Sequence, residues 1–214
     1  LDMSGNASSL TATGQYGNGL QVDDAGSRAT VVDTTIQVGG SRSIGVLVRT
    51  GGHAELRDSS VSVAPVVATG PWAPGIQVEG AGSTLLLSGS EVSTLPGSSF
   101  GLRTLTGAQV DIDDSGITTS GDYSAGLAAS DSVVRASGLR VTTHGNNSAI
   151  AVLADLGATV TVTGGTLLTT GNLIAAASSP HAMTARNPGG TLVASNVQAR
   201  TNGLTALGRV AWGG

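Results

Sequence analysis

The chain of 214 residues contains no cysteine and no lysine, and only 2% of its residues are aromatic. The absence of cysteine excludes thiol catalysis and cysteine-ligated zinc, and the fold must be stable without disulfides. Charged residues make up 11% of the chain, with a net charge of −4 and no basic cluster. We therefore expect no nucleic-acid partner.

Long apolar segments are also missing. No run reaches the ~18 apolar residues of a membrane-spanning helix, so this segment is not expected to cross a membrane. The chain begins at Leu1 without an initiator methionine, and we interpret it as a processed or trimmed piece of a longer protein. With so few aromatic rings, the apolar volume must come from Val, Leu, Ile and Ala, which suits a narrow interior. Glycine, at 33 residues, is about twice as frequent as usual and indicates many turns.

A four-residue pattern recurs along the chain: a small residue, a large apolar residue, a variable residue, and a small or β-branched residue. Eight copies are recognisable, at Gly19–Val22, Gly45–Val48, Gly75–Val78, Gly101–Thr104, Gly126–Ala129, Ala149–Val152, Ala182–Ala185 and Gly203–Ala206. The mean step is about 26 residues, which is typical of a solenoid. Alternation with period two predicts a strand with one buried face. The large apolar residues should form one inward stack: Leu20, Val46, Ile76, Leu102, Leu127, Ile150, Met183 and Leu204.

Two further alternating segments follow each copy, separated by turns rich in glycine, serine and threonine. The second strand is centred on Val31, Leu56, Leu87, Ile112, Val134, Val162 and Leu192. The third begins at Ile36, Val61, Val92, Ile117, Leu139, Leu167 and Val197. The bend between them carries Thr34, Ser59, Ser90, Ser115, Ser137 and Ser195. This predicts an all-β, single-stranded parallel β-helix with three short strands per coil and about eight coils. Residues 1–214 form one segment, with 1–15 as an incomplete first coil.

Aromatic and insertion residues concentrate at one corner of the predicted coil. The long connections Ala64–Pro74 and Gly171–His181 both precede an opening strand. Three positions before the opening glycine stand Tyr16, Arg42, Trp72, Ser98, Tyr123 and, with the same offset, Asn146. Exposed Tyr, Trp and Arg side chains are typical of binding hot spots. Our candidate partner-binding residues are therefore Tyr16, Arg42, Trp72, Phe100 and Tyr123. Alternatively, these rings only shield the ends of the core.

The opening strands resemble the passenger β-helix of autotransporters, most closely the pertactin-like group. The runs Gly107–Ile112 and Gly157–Val162 and the segment Gly164–Leu167 also resemble that passenger β-helix. The resemblance covers nearly the whole chain and implies a right-handed β-helix exported by a Gram-negative bacterium. It implies an extracellular or outer-membrane location, with tethering or release through a C-terminal β-barrel outside these residues. It further implies a virulence-associated adhesin whose partner is a host cell-surface, serum or complement-regulating protein.

Several parallel β-helix proteins are instead polysaccharide lyases or glycoside hydrolases, whose chemistry needs carboxylates from adjacent coils to converge. Asp33, Asp58 and Asp114 share a column, but Gly89 interrupts it, so we interpret them as turn residues. His53, His144 and His181 lie in different coils without a metal-binding spacing and are expected at the surface. We therefore predict a non-catalytic scaffold without cofactor or metal. The alternatives are a carbohydrate-active enzyme and a structural spacer or self-associating adhesin.

Overall fold

The computed structural model describes residues 1–3, 8–64, 73–95, 97–172, 180–203 and 207–211. Every regular element in these ranges is a β-strand, and each strand pairs in parallel with the equivalent strand one coil away. Three sheets of eight strands result, which confirms the predicted all-β solenoid with three strands per coil. No helix in these ranges has the length and apolarity needed to span a membrane. The right-handed sense of the coil stays a prediction.

We name the sheets after the order of strands in the sequence repeat. The opening sheet contains β3 (Leu20–Asp23), β6 (Val46–Arg49), β9 (Ile76–Glu79), β12 (Phe100–Leu105), β15 (Ala125–Ser130), β18 (Ile150–Asp155), β21 (His181–Ala185) and β24 (Leu207–Ala211). The second sheet contains β1 (Asp2–Met3), β4 (Arg28–Val32), β7 (His53–Arg57), β10 (Thr84–Ser88), β13 (Gln109–Asp113), β16 (Val133–Ser137), β19 (Thr159–Thr163) and β22 (Thr191–Ser195). The third sheet contains β2 (Ser8–Ala12), β5 (Thr34–Val38), β8 (Ser60–Val63), β11 (Glu91–Thr94), β14 (Gly116–Thr119), β17 (Arg140–Thr143), β20 (Thr166–Thr169) and β23 (Gln198–Thr201).

The inward stack of the opening sheet is confirmed over its first five members. Leu20, Val46, Ile76, Leu102 and Leu127 pair in succession and are buried. In the sixth coil the partner of Leu127 is Val152, so the predicted Ile150 is two residues out of place. The small residue of that copy is correspondingly Ala151, which is buried in the core.

The predicted position of the eighth copy of the repeat is also wrong. Met183 pairs with Arg209, which makes Gly208 the small residue in line with Ala182, while Leu204 lies outside the described residues. Gly203 belongs instead to the corner before the opening strand. A Cβ added there would lie 1.8 Å from the carbonyl oxygen of Gly171. Glycine is required at this position because successive backbones approach each other too closely for a side chain.

A similar close approach explains the small residue that opens each copy. Gly126 faces the core, and a Cβ added there would lie 2.2 Å from Cγ1 of Val141 and 2.8 Å from the carbonyl oxygen of Ala151. The same holds at Gly101, where the added atom would lie 2.2 Å from Ile117. Gly101 and Gly126 lie within β12 and β15, where the close approach of core side chains and of the next backbone leaves no space for a side chain.

Hydroxyl groups connect successive coils at the bend between the second and third sheets. The backbone N–H groups of Thr34, Ser59 and Ser90 each donate 3.1 Å to the hydroxyl of the next member, ending at Ser115. Each serine hydroxyl in turn donates to a carbonyl two residues earlier. The column continues with Leu139, because Gly116 pairs with Arg140. The predicted members Ser137 and Ser195 therefore lie elsewhere.

Ser137 and Ser195 both end strands of the second sheet. The third-strand column likewise passes through Val141 and Ala199. The predicted Leu139 and Val197 are each two residues too early.

A second column of hydroxyls lies inside the core of the third sheet. Thr94, Thr119, Thr143 and Thr169 pair in succession and are at most 1% exposed. Within the described residues none of their Oγ1 atoms has a hydrogen-bond partner. An unpartnered buried hydroxyl costs about 1–3 kcal/mol. Earlier coils avoid this cost, since the same column holds valine at Val38 and Val63.

Replacing Thr119 by valine should therefore stabilise the protein. Valine has nearly the same shape and removes an unpaired hydroxyl, so the free energy of unfolding should rise by about 1 kcal/mol. Urea unfolding followed by circular dichroism measures the change. Thr118→Val, on the outer face of the same strand, is the control and should have little effect. A clear loss of stability in Thr119→Val would show that the hydroxyl is bonded.

Candidate binding site

The structure places three of the sequence-predicted residues at one corner of the coil. Tyr16, Arg42 and Tyr123 have φ values of 60°, 55° and 55°, in the left-handed region that non-glycine residues seldom adopt. Their side chains extend into solvent, with Tyr16 61% and Tyr123 49% exposed. The guanidinium of Arg42 donates a 3.4 Å hydrogen bond to the hydroxyl of Tyr16. The predicted column therefore exists, and it follows a strained part of the backbone.

Trp72 and most of the two long connections lie outside the described residues. The predicted grouping of Trp72 with Tyr123 is therefore neither placed nor measured, and it stays a prediction. Tyr16 lies four coils from Tyr123, a separation of about 19 Å at the usual ~4.8 Å per coil. The predicted site residues thus divide into a Tyr16–Arg42 pair and a second group that contains Tyr123.

Phe100 and Tyr123 meet at a cavity of about 400 Å³ on the outside of the opening sheet. Phe100 is half-buried at the start of β12, and Tyr123 stands at the rim. The apolar part of the lining comes from Ala125, Ile150 and Leu153. These three residues are buried although they belong to an outer-face cluster that is separate from the main core. The opening sheet therefore carries an apolar outer face at β15 and β18.

The other two sheets are mostly polar at the equivalent outer positions. In the opening sheet the column beyond Arg103 continues with Ala128, Leu153 and Thr184. In the second sheet the corresponding column contains Asp111, Arg135 and Thr161, and in the third sheet Thr118, Thr142 and Leu168. The outer face of the opening sheet is therefore apolar at β15 and β18, where the outer faces of the other two sheets are mostly polar.

His181 and Thr184 complete the cavity and were missed as site residues. His181 is 7% exposed and Thr184 is 3% exposed, so the prediction of a surface histidine at His181 was wrong. Both lie on β21, where His181 pairs with Ile150 and Thr184 pairs with Leu153. Burial lowers the pKa of the His181 imidazole, which favours the neutral ring at pH 7. Nothing in the local sequence indicated this, because the position is set by long-range pairing.

Charged side chains border the apolar cluster. The guanidinium of Arg103 lies 5.2 Å from the ring centroid of Phe100, in a cation–π arrangement. Burial lowers the pKa of Arg103, opposed by the negative charge of Glu79. Arg186 is paired with Asp155 at 3.2 Å. A second cavity of about 220 Å³ shares Phe100, Leu153 and Arg186 with the first and extends the depression towards Leu156.

The carboxylates do not form a catalytic arrangement in the described part of the chain. Asp33, Asp58 and Asp114 have φ values of 50°, 48° and 43° and occupy the bend between the second and third sheets. Gly89 also lies at this bend, with φ of 56°, as predicted from its place in the column. Elsewhere Asp23 pairs with Arg49, whose hydrogen bond lowers the pKa of the Asp23 carboxyl. Among the described residues no three His, Asp or Glu side chains are grouped so as to hold a metal ion.

The fold defines a class of protein: a parallel β-solenoid, here with an apolar depression on the outer face of one sheet. Comparison with curated proteins finds 30% identity over 188 residues with the BrkA autotransporter of Bordetella pertussis. The match covers 85% of this chain but only 15% of that protein. No family model matches the chain, and no solved structure matches it. The similarity and the solenoid together confirm the expected resemblance to an autotransporter passenger β-helix.

Proposed function

We propose that this segment belongs to a secreted, cell-surface passenger that binds a host protein through the outer face of its opening sheet. Its role is that of a non-catalytic, virulence-associated adhesin. The observation that carries the proposal is the apolar outer-face cluster of Phe100, Ala125, Ala128, Ile150 and Leu153 beside the exposed ring of Tyr123.

The exposure of a large aromatic ring at Tyr123 supports a role outside the fold. Glycine and asparagine adopt positive φ at a lower cost than a bulky aromatic residue. The tyrosine ring is about half exposed, and its backbone N–H donates 3.0 Å to the carbonyl of Asn147 without any need for the ring. Since the side chain contributes little to folding, its value lies in what it contacts from outside. Positive φ itself belongs to the bends of the coil, because Ser98, Thr106 and Leu156 share it.

The composition of the depression suits a protein partner. Tyrosine, phenylalanine and arginine are enriched at protein interfaces, where an apolar centre is surrounded by a polar rim. Here Phe100 and Leu153 form the centre, while Tyr123, Arg103 and Arg186 form the rim. The autotransporter-like sequence supports export to the cell surface, where such a face meets host proteins.

Phe100→Ala together with Tyr123→Ala should weaken host-protein binding at least about tenfold and leave the solenoid folded. Host serum and solubilised cell-surface proteins are passed over the immobilised fragment, and the retained protein is titrated against both forms by biolayer interferometry. Leu86→Ala, on the outer face of β10 in the second sheet, is the control and should not change affinity.

Two outcomes would overturn the proposal: a double variant that binds as tightly as wild type, or a control that loses as much affinity. Tyr16→Ala adds a further comparison, because Tyr16 shares the backbone conformation of Tyr123 but lies about 19 Å away. Loss of binding in Tyr16→Ala as well would extend the interface along the whole corner, as the sequence pattern predicted.

A further inference from the structure

An outward column of the opening sheet contains one ionisable side chain. Phe100, Ala125, Ile150, His181 and Leu207 pair in succession along this column. The other four members are apolar residues, and Ala125 and Ile150 belong to the buried outer-face cluster. His181 is 7% exposed, so it is buried as deeply as the apolar members of that cluster. The column therefore holds a titratable ring at a position suited to leucine or isoleucine.

The buried nitrogen of His181 has no partner that would stabilise a positive charge. Nδ1 is inaccessible to solvent, and no group within the described residues makes a hydrogen bond with it. A neutral imidazole carries a proton on one nitrogen only, whereas the imidazolium donates from both. Protonation therefore makes Nδ1 a donor without an acceptor, whichever tautomer the neutral ring adopts. Such a buried, unpaired charge is costly unless the strand moves and water reaches the ring.

The charges around His181 do not compensate for this cost. In the described part of the chain, the other ionisable groups near β21 or on strands packed against it are Asp155 on β18, Arg186 directly after β21, Arg200 on β23, Arg209 on β24, and Tyr123 at the rim of the cavity. β20 and β22 carry none. The carboxylate of Asp155 is paired with Arg186 at 3.2 Å and lies five residues from Ile150, roughly 16 Å along an extended strand. Burial lowers the pKa of the His181 imidazole, and no nearby anion opposes this effect.

We propose that His181 is an acid-sensitive switch for the outer face of the opening sheet. At neutral pH the uncharged ring packs in the column beside Ile150 and forms part of the lining of the cavity of about 400 Å³. In acid, protonation separates the start of β21 from β18, because the charged ring must reach water. The apolar outer face at Ile150 and Leu153 then opens. The inference does not depend on the proposed function, because it concerns the chain alone.

The direction of the pH dependence follows from the burial of the ring. When the pKa of a histidine is lower in the folded than in the unfolded chain, the unfolded chain takes up the proton first as the pH falls. The stability of β21 should therefore be constant above about pH 6.5, the pKa of an unperturbed histidine, and should decrease below it. Aspartate and glutamate titrate mainly below about pH 5, so the range between these two values isolates the effect of histidine.

Hydrogen–deuterium exchange of the whole fragment at about pH 7.5 and about pH 5 measures the opening of β21. After correction for the intrinsic exchange rate at each pH, the protection of the β21 amides should fall at least about threefold in acid. β9, whose neighbours β6 and β12 contain no histidine, is the internal reference and should keep its protection. His181→Leu suits the apolar column and should abolish the acid effect. His144→Gln, at an exposed histidine, is the matched control and should leave the effect unchanged.

Two results of this experiment would overturn the inference: protection of β21 that does not change in the wild type, or an equal loss of protection in His181→Leu. His181→Gln, which is polar and uncharged at both pH values, takes the place of His181→Leu if the leucine variant does not fold. An NMR titration of the wild-type His181 ring needs no variant. We expect this ring to titrate below about pH 6.5, and titration at or above that value would contradict the inference.

Discussion

Ile76→Asp should abolish cooperative folding of the central coils. Ile76 is 0% exposed and lies in the inward stack between Val46 and Leu102. Losing the buried side chain costs about 2–5 kcal/mol, and burying an unpaired carboxylate adds several more. The sum of these two costs approaches the whole free energy of unfolding of a typical domain, ~5–15 kcal/mol. In a solenoid each coil is held by its neighbours, so a defect at β9 separates the coils on either side.

Circular dichroism and urea unfolding test this directly. The wild type should show a β spectrum and a cooperative transition, whereas Ile76→Asp should be largely unfolded at 25 °C. Thr118→Asp introduces the same charge on the outer face of β14 and should remain folded. If Ile76→Asp unfolds at nearly the wild-type urea concentration, Ile76 does not point into the core and the pairing of the opening sheet is wrong.

Gly126→Val should have the next largest effect. The Cβ atom alone would lie 2.2 Å from Cγ1 of Val141 and 2.8 Å from a backbone oxygen of the next coil. Side-chain rearrangement can relieve the first contact but not the second, so the backbone of two coils must separate. Overpacking of this kind costs about 1–3 kcal/mol, and the displaced strand pairing adds to it. We expect a loss of about 3 kcal/mol or more, measured by urea unfolding.

Gly39 offers a matched control for this substitution. A Cβ at Gly39 meets nothing within 4 Å, so Gly39→Val should change stability little. Combining Gly126→Val with Val141→Ala removes one of the two contacts and should restore part of the stability. Equal losses in Gly39→Val and Gly126→Val would mean that glycine is needed for backbone freedom and not for close packing.

The sequence predicted the fold because solenoid columns repeat the same physical requirement in every coil. Large apolar residues stack inside, and small residues occupy the positions of closest approach, so the pattern recurs over many copies. Period-two alternation nevertheless looks the same after a shift of two residues. That is why the sequence pattern predicts Ile150 in place of Val152 and Leu139 in place of Val141. Only the pairing between coils distinguishes these alternatives.

The candidate site was predictable only in part. Phe100 and Tyr123 were recognisable because aromatic residues are rare in this chain. His181 and Thr184 carried no comparable signal, since their burial depends on their neighbours in the preceding coil, Ile150 and Leu153. An outward apolar column is also hard to recognise from sequence. Alternation looks the same after a two-residue shift, so the sequence does not show which outward residues are neighbours in adjacent coils. The cavity is a property of four adjacent coils and of no single repeat.

Site-specific photo-crosslinking tests most directly whether the outer face of the opening sheet is the binding face. A photoreactive benzoylphenylalanine replaces Tyr123 in one form and Leu86, on the second sheet, in another. Both forms are irradiated in the presence of the captured host protein. We predict a covalent host-protein adduct from position 123 and none from position 86. An adduct from position 86 with none from position 123 would contradict the account and move the binding face to the second sheet.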